Sequence, residues 1–185
     1  MTEKFDLVVF GASGFTGRLV AEYLSKKAGV SHNLNWALAG RDVMKLESVK
    51  EEMQIPPSIP ILQVDASDRV SIKNMIAKTN VVLTTVGPYQ IYGNELVECC
   101  VEAGTDYLDL CGEPAWMHEV IKTHQTRAES TGARIVFSCG FDSIPFDLGV
   151  YALQRKAILR FGGPMNRVKG RVRSMTVSYT HLRAH

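Results

Sequence analysis

The sequence predicts an α/β fold built on a doubly wound parallel sheet, and three observations carry that reading. Apolar runs of strand length alternate with segments of helical periodicity from the start of the chain, and this order dictates parallel pairing. The first apolar run, Phe5–Phe10, feeds straight into Gly11-Ala12-Ser13-Gly14-Phe15-Thr16-Gly17 and then into a helical pattern. Glycine-bearing turns recur after later strands, where a parallel sheet gathers them on one edge.

The elements run in order along the chain. A helix over 15–27 turns Leu19, Val20 and Leu24 to the sheet, and 34–39 is the second strand. The helix over 42–53 stops at Pro56-Pro57, which cannot extend it. After a third strand at 59–64, Ser67 caps a helix that turns Val70, Ile72, Met75 and Ile76 inward. The fourth strand is 81–86, a helix over 94–103 ends at Gly104, and 107–110 is a short fifth strand. A helix over 114–131 ends at Gly132, 134–138 is the sixth strand, and a last helix reaches about residue 160.

Residues 1–160 are thus expected to form a dinucleotide-binding Rossmann domain. Gly162-Gly163-Pro164 opens a linker, 171–177 reads as the first strand of a second domain, and 161–177 is assigned to that linker and start. An unpartnered strand is marginal. The tail, 178–185, has neither amphipathic pattern nor cap and reads as non-native or disordered.

At 185 residues the chain has the size of one large domain, and its 45 % hydrophobic and 22 % charged residues are ordinary for a globular protein. A net charge of +2 supplies no field for nucleic acid, so no such partner is expected. No apolar stretch is long enough for a signal peptide or a membrane span, which points to the cytoplasm. Peripheral contact with membranes or lipid droplets stays open, as does a homo-oligomer. Cys99, Cys100, Cys111 and Cys139 lack metal or disulfide-scaffold spacing and read as reduced, mostly buried thiols. His118 and His124 share a helix without a third ligand, so no metal is implied.

The glycine turn carries the chemistry. A diphosphate must reach backbone N–H groups at a helix N-terminus, where unpaired donors and the helix dipole favour anions. Gly11 permits the exit from the strand, Gly14 lets the pyrophosphate touch backbone, and Gly17 lets the helix pack on the sheet. The candidate cofactor-binding residues here are Gly11, Ala12, Ser13, Gly14, Phe15, Thr16 and Gly17. The G-x-x-G-x-x-G spacing is a variant found among NADP-using enzymes.

At the end of the second strand the chain reads Gly40-Arg41 rather than an acid, and a guanidinium there suits a ribose 2′-phosphate, favouring NADP over NAD, with a solvated surface arginine beside Asp42 as the alternative. Asp65 either bonds the adenine amino group or caps the next turn. Val86, Gly87, Pro88 and Tyr89 close the fourth strand, where ribose or nicotinamide would come near, while Tyr89 and Tyr92 either line the pocket or pack beneath it. Glu113 and Asp142 are candidate positioning groups, with helix capping the alternative for Asp142 and Ser143. Tyr23 and Lys27 match the tyrosine–lysine spacing of short-chain dehydrogenases, but they lie in the first helix, away from the nicotinamide end.

Taken together, 9–17, Ala39-Gly40-Arg41, Val86-Gly87-Pro88-Tyr89 with Tyr92-Gly93, Gly112-Glu113 and 139–145 with Asp147 resemble the saccharopine dehydrogenase-like oxidoreductases. Within that group the trans-acting enoyl reductase family is the nearest in pattern, over about 5–154. The resemblance implies an N-terminal NADP-binding domain and a larger second domain that shapes the substrate site, of which this chain carries little. It implies hydride transfer from NADPH to an unsaturated lipid or polyketide intermediate, hence a small-molecule or lipid substrate. Two alternatives remain at this stage: an NADP-binding scaffold or lipid-surface protein without turnover, and a saccharopine-type amino-acid dehydrogenase. No residue is assigned a catalytic role.

Overall fold

The computed structural model describes residues 4–31 and 34–173, with backbone only for 28–31. The tail at 178–185 and most of the strand expected at 171–177 lie outside the described residues, and 171–173 carry no regular secondary structure.

The sheet contains β1 (Phe5–Phe10), β2 (Trp36–Gly40), β3 (Ile61–Gln63), β4 (Thr79–Thr84), β5 (Asp106–Leu108) and β6 (Ile135–Val136). Between and after them run α1 (Phe15–Ser31), α2 (Val43–Glu52), α3 (Arg69–Ile76), α4 (Tyr89–Ala103), α5 (Pro114–Thr131) and α6 (Ile144–Phe161). The order across the sheet is β3-β2-β1-β4-β5-β6, and every neighbouring pair is parallel. This is the doubly wound order of the Rossmann fold.

Alternation along β1 sorts the core. Val8 and Phe10 join Ala37, Ala39 and Val82 under α3, α4 and α5, while Val9 joins Trp36 and Leu38 under α1 and α2. Both faces are covered, so central strands read as continuous apolar runs rather than alternating ones. Each fully buried Val, Leu or Phe side chain among them contributes about 1.5–3 kcal/mol.

The chain divides into two compact units, Met1–Cys139 and Gly140–His185. The first holds the sheet and α1 to α5. In the second, α6 starts with a proline in its first turn and ends at Gly162, whose φ of 77° is left-handed. Gln154 fastens the segment after the helix, donating to the Met165 carbonyl and accepting from its N–H, both at 2.8 Å.

Several expected details differ. The cap of α3 is Asp68, whose carboxylate accepts from the N–H groups of Val70 and Ser71, because Ser67 is held one position earlier by donating its own N–H to Asp65. Val70 lies about 200° around the helix from Ile72 and so turns away from the face that buries Ile72, Met75 and Ile76, to 68 % exposed. On α1 it is Ala21, with Val20 and Leu24 beside it, that meets the core, and Leu19 is 47 % exposed. β4 lies two residues earlier than its apolar run suggests, since Phe5 pairs with Thr79. The buried Thr79 hydroxyl satisfies itself on backbone carbonyls. Finally, α4 begins at Tyr89, five residues early, for a reason found at the site.

Candidate cofactor site

The strand order reverses between β1 and β4, and ligands of open α/β sheets settle outside the carboxyl ends of strands at such a point. Because every pair is parallel, the segments leaving β1, β2, β3, β4 and β5 emerge on one edge. That edge gathers the glycine turn, Gly40-Arg41, Asp65, the segment from Val86 to Tyr89, and Glu113.

Gly11 has φ +86°, and a Cβ on it would lie 2.8 Å from both Thr85 Oγ1 and Val86 Cγ2. Glycine is required there twice over, for conformation and for the approach of β4. A Cβ on Gly17 would overlap the Gly11 carbonyl oxygen and come within 2.8 Å of Ala12 Cα. Gly14 differs, meeting only the Gly11 carbonyl at 3.3 Å while its other side is exposed. Ala12 is fully buried and Phe15 is 60 % exposed.

The turn's hydrogen bonds separate structural donors from available ones. Gly11 and Ala12 both donate to the Ala39 carbonyl, at 2.9 and 3.3 Å, and Gly14 donates to Gly11 at 3.0 Å. The N–H groups of Ser13, Phe15, Thr16 and Gly17 have no acceptor among the described residues. Four donors at the start of α1 therefore face the edge where an anion would sit.

Arg41 is exposed, and its guanidinium pairs with no carboxylate among the described residues. Its carbonyl accepts from Gln63 Nε2 at 3.3 Å, which ties the residue to the end of β3. The neighbouring Asp42 is turned away: its Oδ1 accepts from Lys45 N–H at 3.1 Å as the cap of α2. Asp65 Oδ1 accepts from the Ser67 N–H at 2.9 Å, so the carboxylate closes the turn ahead of α3.

The segment after β4 is stitched to the glycine turn. Thr85 donates its N–H to Phe10 at 2.9 Å and its hydroxyl to Gly11 at 3.0 Å. Gly87 and Pro88, joined by a cis peptide bond, are exposed. A Cβ on Gly87 would meet nothing closer than the Tyr89 ring at 3.7 Å, so the protein itself does not demand glycine there. Tyr89 packs beneath the loop, 5 % exposed against Trp116, while Tyr92 is 37 % exposed.

Glu113 explains the early start of α4. Its two carboxylate oxygens accept from the N–H groups of Tyr89 and Gln90 at 2.9 and 3.0 Å, capping the helix from 24 and 23 residues away. Sequence reasoning looks for caps next to the helix, so it had no signal for this one. A second group was missed as well. Asp109, 1 % exposed, accepts from Cys111 N–H at 2.9 Å, Ser138 N–H at 2.8 Å and the Tyr107 hydroxyl at 2.9 Å. It lay inside an apolar strand run, and an acid in such a run was its one available sign.

Burial pushes Asp109 above the ordinary aspartate value, against the three hydrogen bonds that favour its charge. Burial also raises the Tyr107 hydroxyl, and it lifts the Cys111 thiol to about 11. Among the described residues no cluster of His, Cys, Asp and Glu has metal-holding geometry, and no helix is long and apolar enough to cross a membrane.

Fold and turn together define an α/β domain of the dinucleotide-binding class. The chain belongs to the saccharopine dehydrogenase NADP-binding domain family, whose model matches residues 7–136. A Mycobacterium tuberculosis protein provisionally named as a trans-acting enoyl reductase is 48 % identical over 155 residues, covering 83 % of this chain and 36 % of the relative. A second M. tuberculosis protein, named trans-acting enoyl reductase, is 44 % identical over 158 residues, covering 84 % and 37 %. The chain thus spans about a third of the length of these curated relatives. Among solved structures, the apo saccharopine dehydrogenase (L-Glu forming) of Saccharomyces cerevisiae superposes with a TM-score of 0.62 at 16 % identity. That superposition covers 85 % of this chain and 32 % of the yeast protein, and it supports the fold alone.

Proposed function

We propose that this chain binds NADPH along the carboxyl edge of its sheet and serves, in a protein of its relatives' length, the reduction of an unsaturated lipid or polyketide intermediate. The observation that carries the cofactor reading is the set of N–H groups of Ser13, Phe15, Thr16 and Gly17 left without an acceptor among the described residues, one strand away from the Arg41 guanidinium, which pairs with no carboxylate among them. Those donors bind the diphosphate, and Arg41 bonds the 2′-phosphate bidentately. Asp65 holds the adenine edge with the carboxylate oxygen that the Ser67 turn does not use. Val86, Gly87 and Pro88 lie along the ribose and nicotinamide, with Tyr89 supporting them from below.

When bound, the cofactor supplies the hydride. The protein's share is to fix the nicotinamide face and keep water away. The names of the two mycobacterial relatives support an enoyl group as acceptor.

Fluorescence titration with NADPH and NADH, repeated on Arg41→Ala, tests the cofactor reading. NADPH is expected to bind tighter than NADH by about 10- to 100-fold, the scale of a charge-assisted bidentate contact, and the variant to lose that preference. Equal affinities in both proteins would remove Arg41 from the site. Turnover is tested in a protein of the relatives' full length, by loss of NADPH absorbance on addition of an α,β-unsaturated thioester. Binding without oxidation would favour a nucleotide-binding scaffold.

A further inference from the structure

The carboxylate of Glu113 does more than begin a helix. It grips the first two N–H groups of α4, and these belong to the residues immediately after Gly87-Pro88. The half-buried Glu113 sits on a loop that is itself tied down. Its N–H donates to Cys111 Sγ at 3.3 Å, and Cys111 is held by its N–H on Asp109 and by its carbonyl, which accepts from Ser138 Oγ at 2.7 Å. Asp109 also takes the Ser138 N–H, while its carbonyl accepts from Cys139 N–H at 2.6 Å. The ends of β5 and β6 are thereby knotted around one buried carboxylate, and the knot presents Glu113 to the end of β4.

This arrangement has two physical consequences. The N-terminus of α4 is already neutralised by a carboxylate, so its dipole is spent, and of α1 and α4 only α1 offers free donors to a diphosphate. Moreover, the exposed Gly87-Pro88 segment is anchored on both sides. Before it, Val86 donates its N–H to Thr84 Oγ1 at 3.2 Å, and after it stands the Glu113 clamp.

We propose that Glu113 is a positioning residue that holds the 86–88 loop in the shape that receives the nicotinamide half of the cofactor. This rests on the nucleotide reading above, in which that half lies at the end of β4. Glu113 acts through the backbone of Tyr89 and Gln90 and need not touch the ligand. Freed of the clamp, the first turn of α4 loses two charge-assisted bonds, and after Pro88 the loop is left to the side-chain packing of Tyr89 against Trp116 in place of a hold on its backbone.

The test compares two ligands on the whole chain. NADPH spans both halves of the site, whereas 2′,5′-ADP occupies the adenine half only. Binding of each is measured by calorimetry for the parent chain, Glu113→Ala and the milder Glu113→Gln, which keeps one acceptor oxygen. The expected result is that Glu113→Ala weakens NADPH by about tenfold or more, as loss of hydrogen bonds to a charged group implies, with Glu113→Gln intermediate. Binding of 2′,5′-ADP should stay within about twofold for both variants, a pattern that loss of overall stability would not produce. Unchanged NADPH affinity overturns the proposal. Equal weakening of both ligands also overturns it, because Glu113 would then support the domain as a whole. If the parent chain binds neither ligand, the nucleotide reading itself fails, an outcome distinct from both.

Discussion

Gly17 shows how much a single hydrogen atom can decide. Its missing Cβ lets α1 sit directly on the Gly11 carbonyl, so Gly17→Ala must push the helix off the turn. Overpacking of this kind costs about 1–3 kcal/mol. We expect the urea midpoint to fall accordingly and NADPH binding to vanish even in folded protein, whereas a folded variant with unchanged affinity would contradict the assigned turn. This glycine was legible in the sequence because spacing alone expresses it. Asp109 was not, because its meaning comes from Ser138 and Tyr107, which only folding brings near. Its pH behaviour is also testable. Burial raises its folded pKa above the unfolded value of about 3.9, so the folded state binds the proton more tightly. The contribution to stability is full below the unfolded value and is lost as pH rises through the raised folded one. Relative to Asp109→Asn, which cannot titrate, the parent chain should therefore gain stability as pH falls from neutral toward that unfolded value. Urea midpoints of the two across this range decide it, and a flat difference would mean that the three hydrogen bonds cancel the burial.

At the scale of elements, legibility depended on whether the controlling contact was local. The helix α5 begins at Pro114, ends at Thr131 and is followed by a left-handed Gly132, all as its own sequence dictates. The start of α4 is set instead by Glu113 on another loop, and the cap of α3 passes to Asp68 because the Asp65 turn takes up Ser67. Helix packing supplies a further case. A Cβ on Gly93 would lie 2.5 Å from Trp116 Cζ2, so α4 and α5 approach each other through a glycine and an indole. Trp116 is fixed from three sides, donating Nε1–H to Asn94 at 2.7 Å and packing on Tyr89 and Phe137. Gly93→Ala should gain helix propensity yet lose about 1–3 kcal/mol overall as the indole is displaced. Tryptophan fluorescence should shift in the native state, and a stabilised variant would show that the indole yields freely. Because Tyr89 touches both Trp116 and the end of β4, the displacement should also be felt as weaker NADPH binding.

Over the whole molecule the near-neutral net charge conceals a division. All 19 Asp and Glu residues lie at or before Asp147, while eight of the 21 Lys and Arg residues come after it. The acidic surplus therefore belongs to the part that carries the sheet, and the basic surplus to α6 and the residues beyond it. That second part is also apolar at its surface: Leu148, Tyr151, Leu153, Leu159 and Phe161 are each more than half exposed, and among the helix's described residues only Ala157 is buried. A helix apolar on all sides is ordinarily covered, and a patch of this kind marks an interaction surface or an aggregation liability. With opposite charges segregated along the chain, one copy offers another both a complementary field and an apolar contact. Association that rises with concentration should appear in sedimentation velocity, and it should weaken as salt shortens the reach of the charges. Leu159→Glu, at a side chain 83 % exposed, should reduce it without lowering the thermal midpoint, because that side chain contributes little to the packing of its own unit. Association that instead strengthens with salt would assign the contact to apolar surface alone, and a monomer at every concentration would mean that neither the charge division nor the apolar helix drives self-contact.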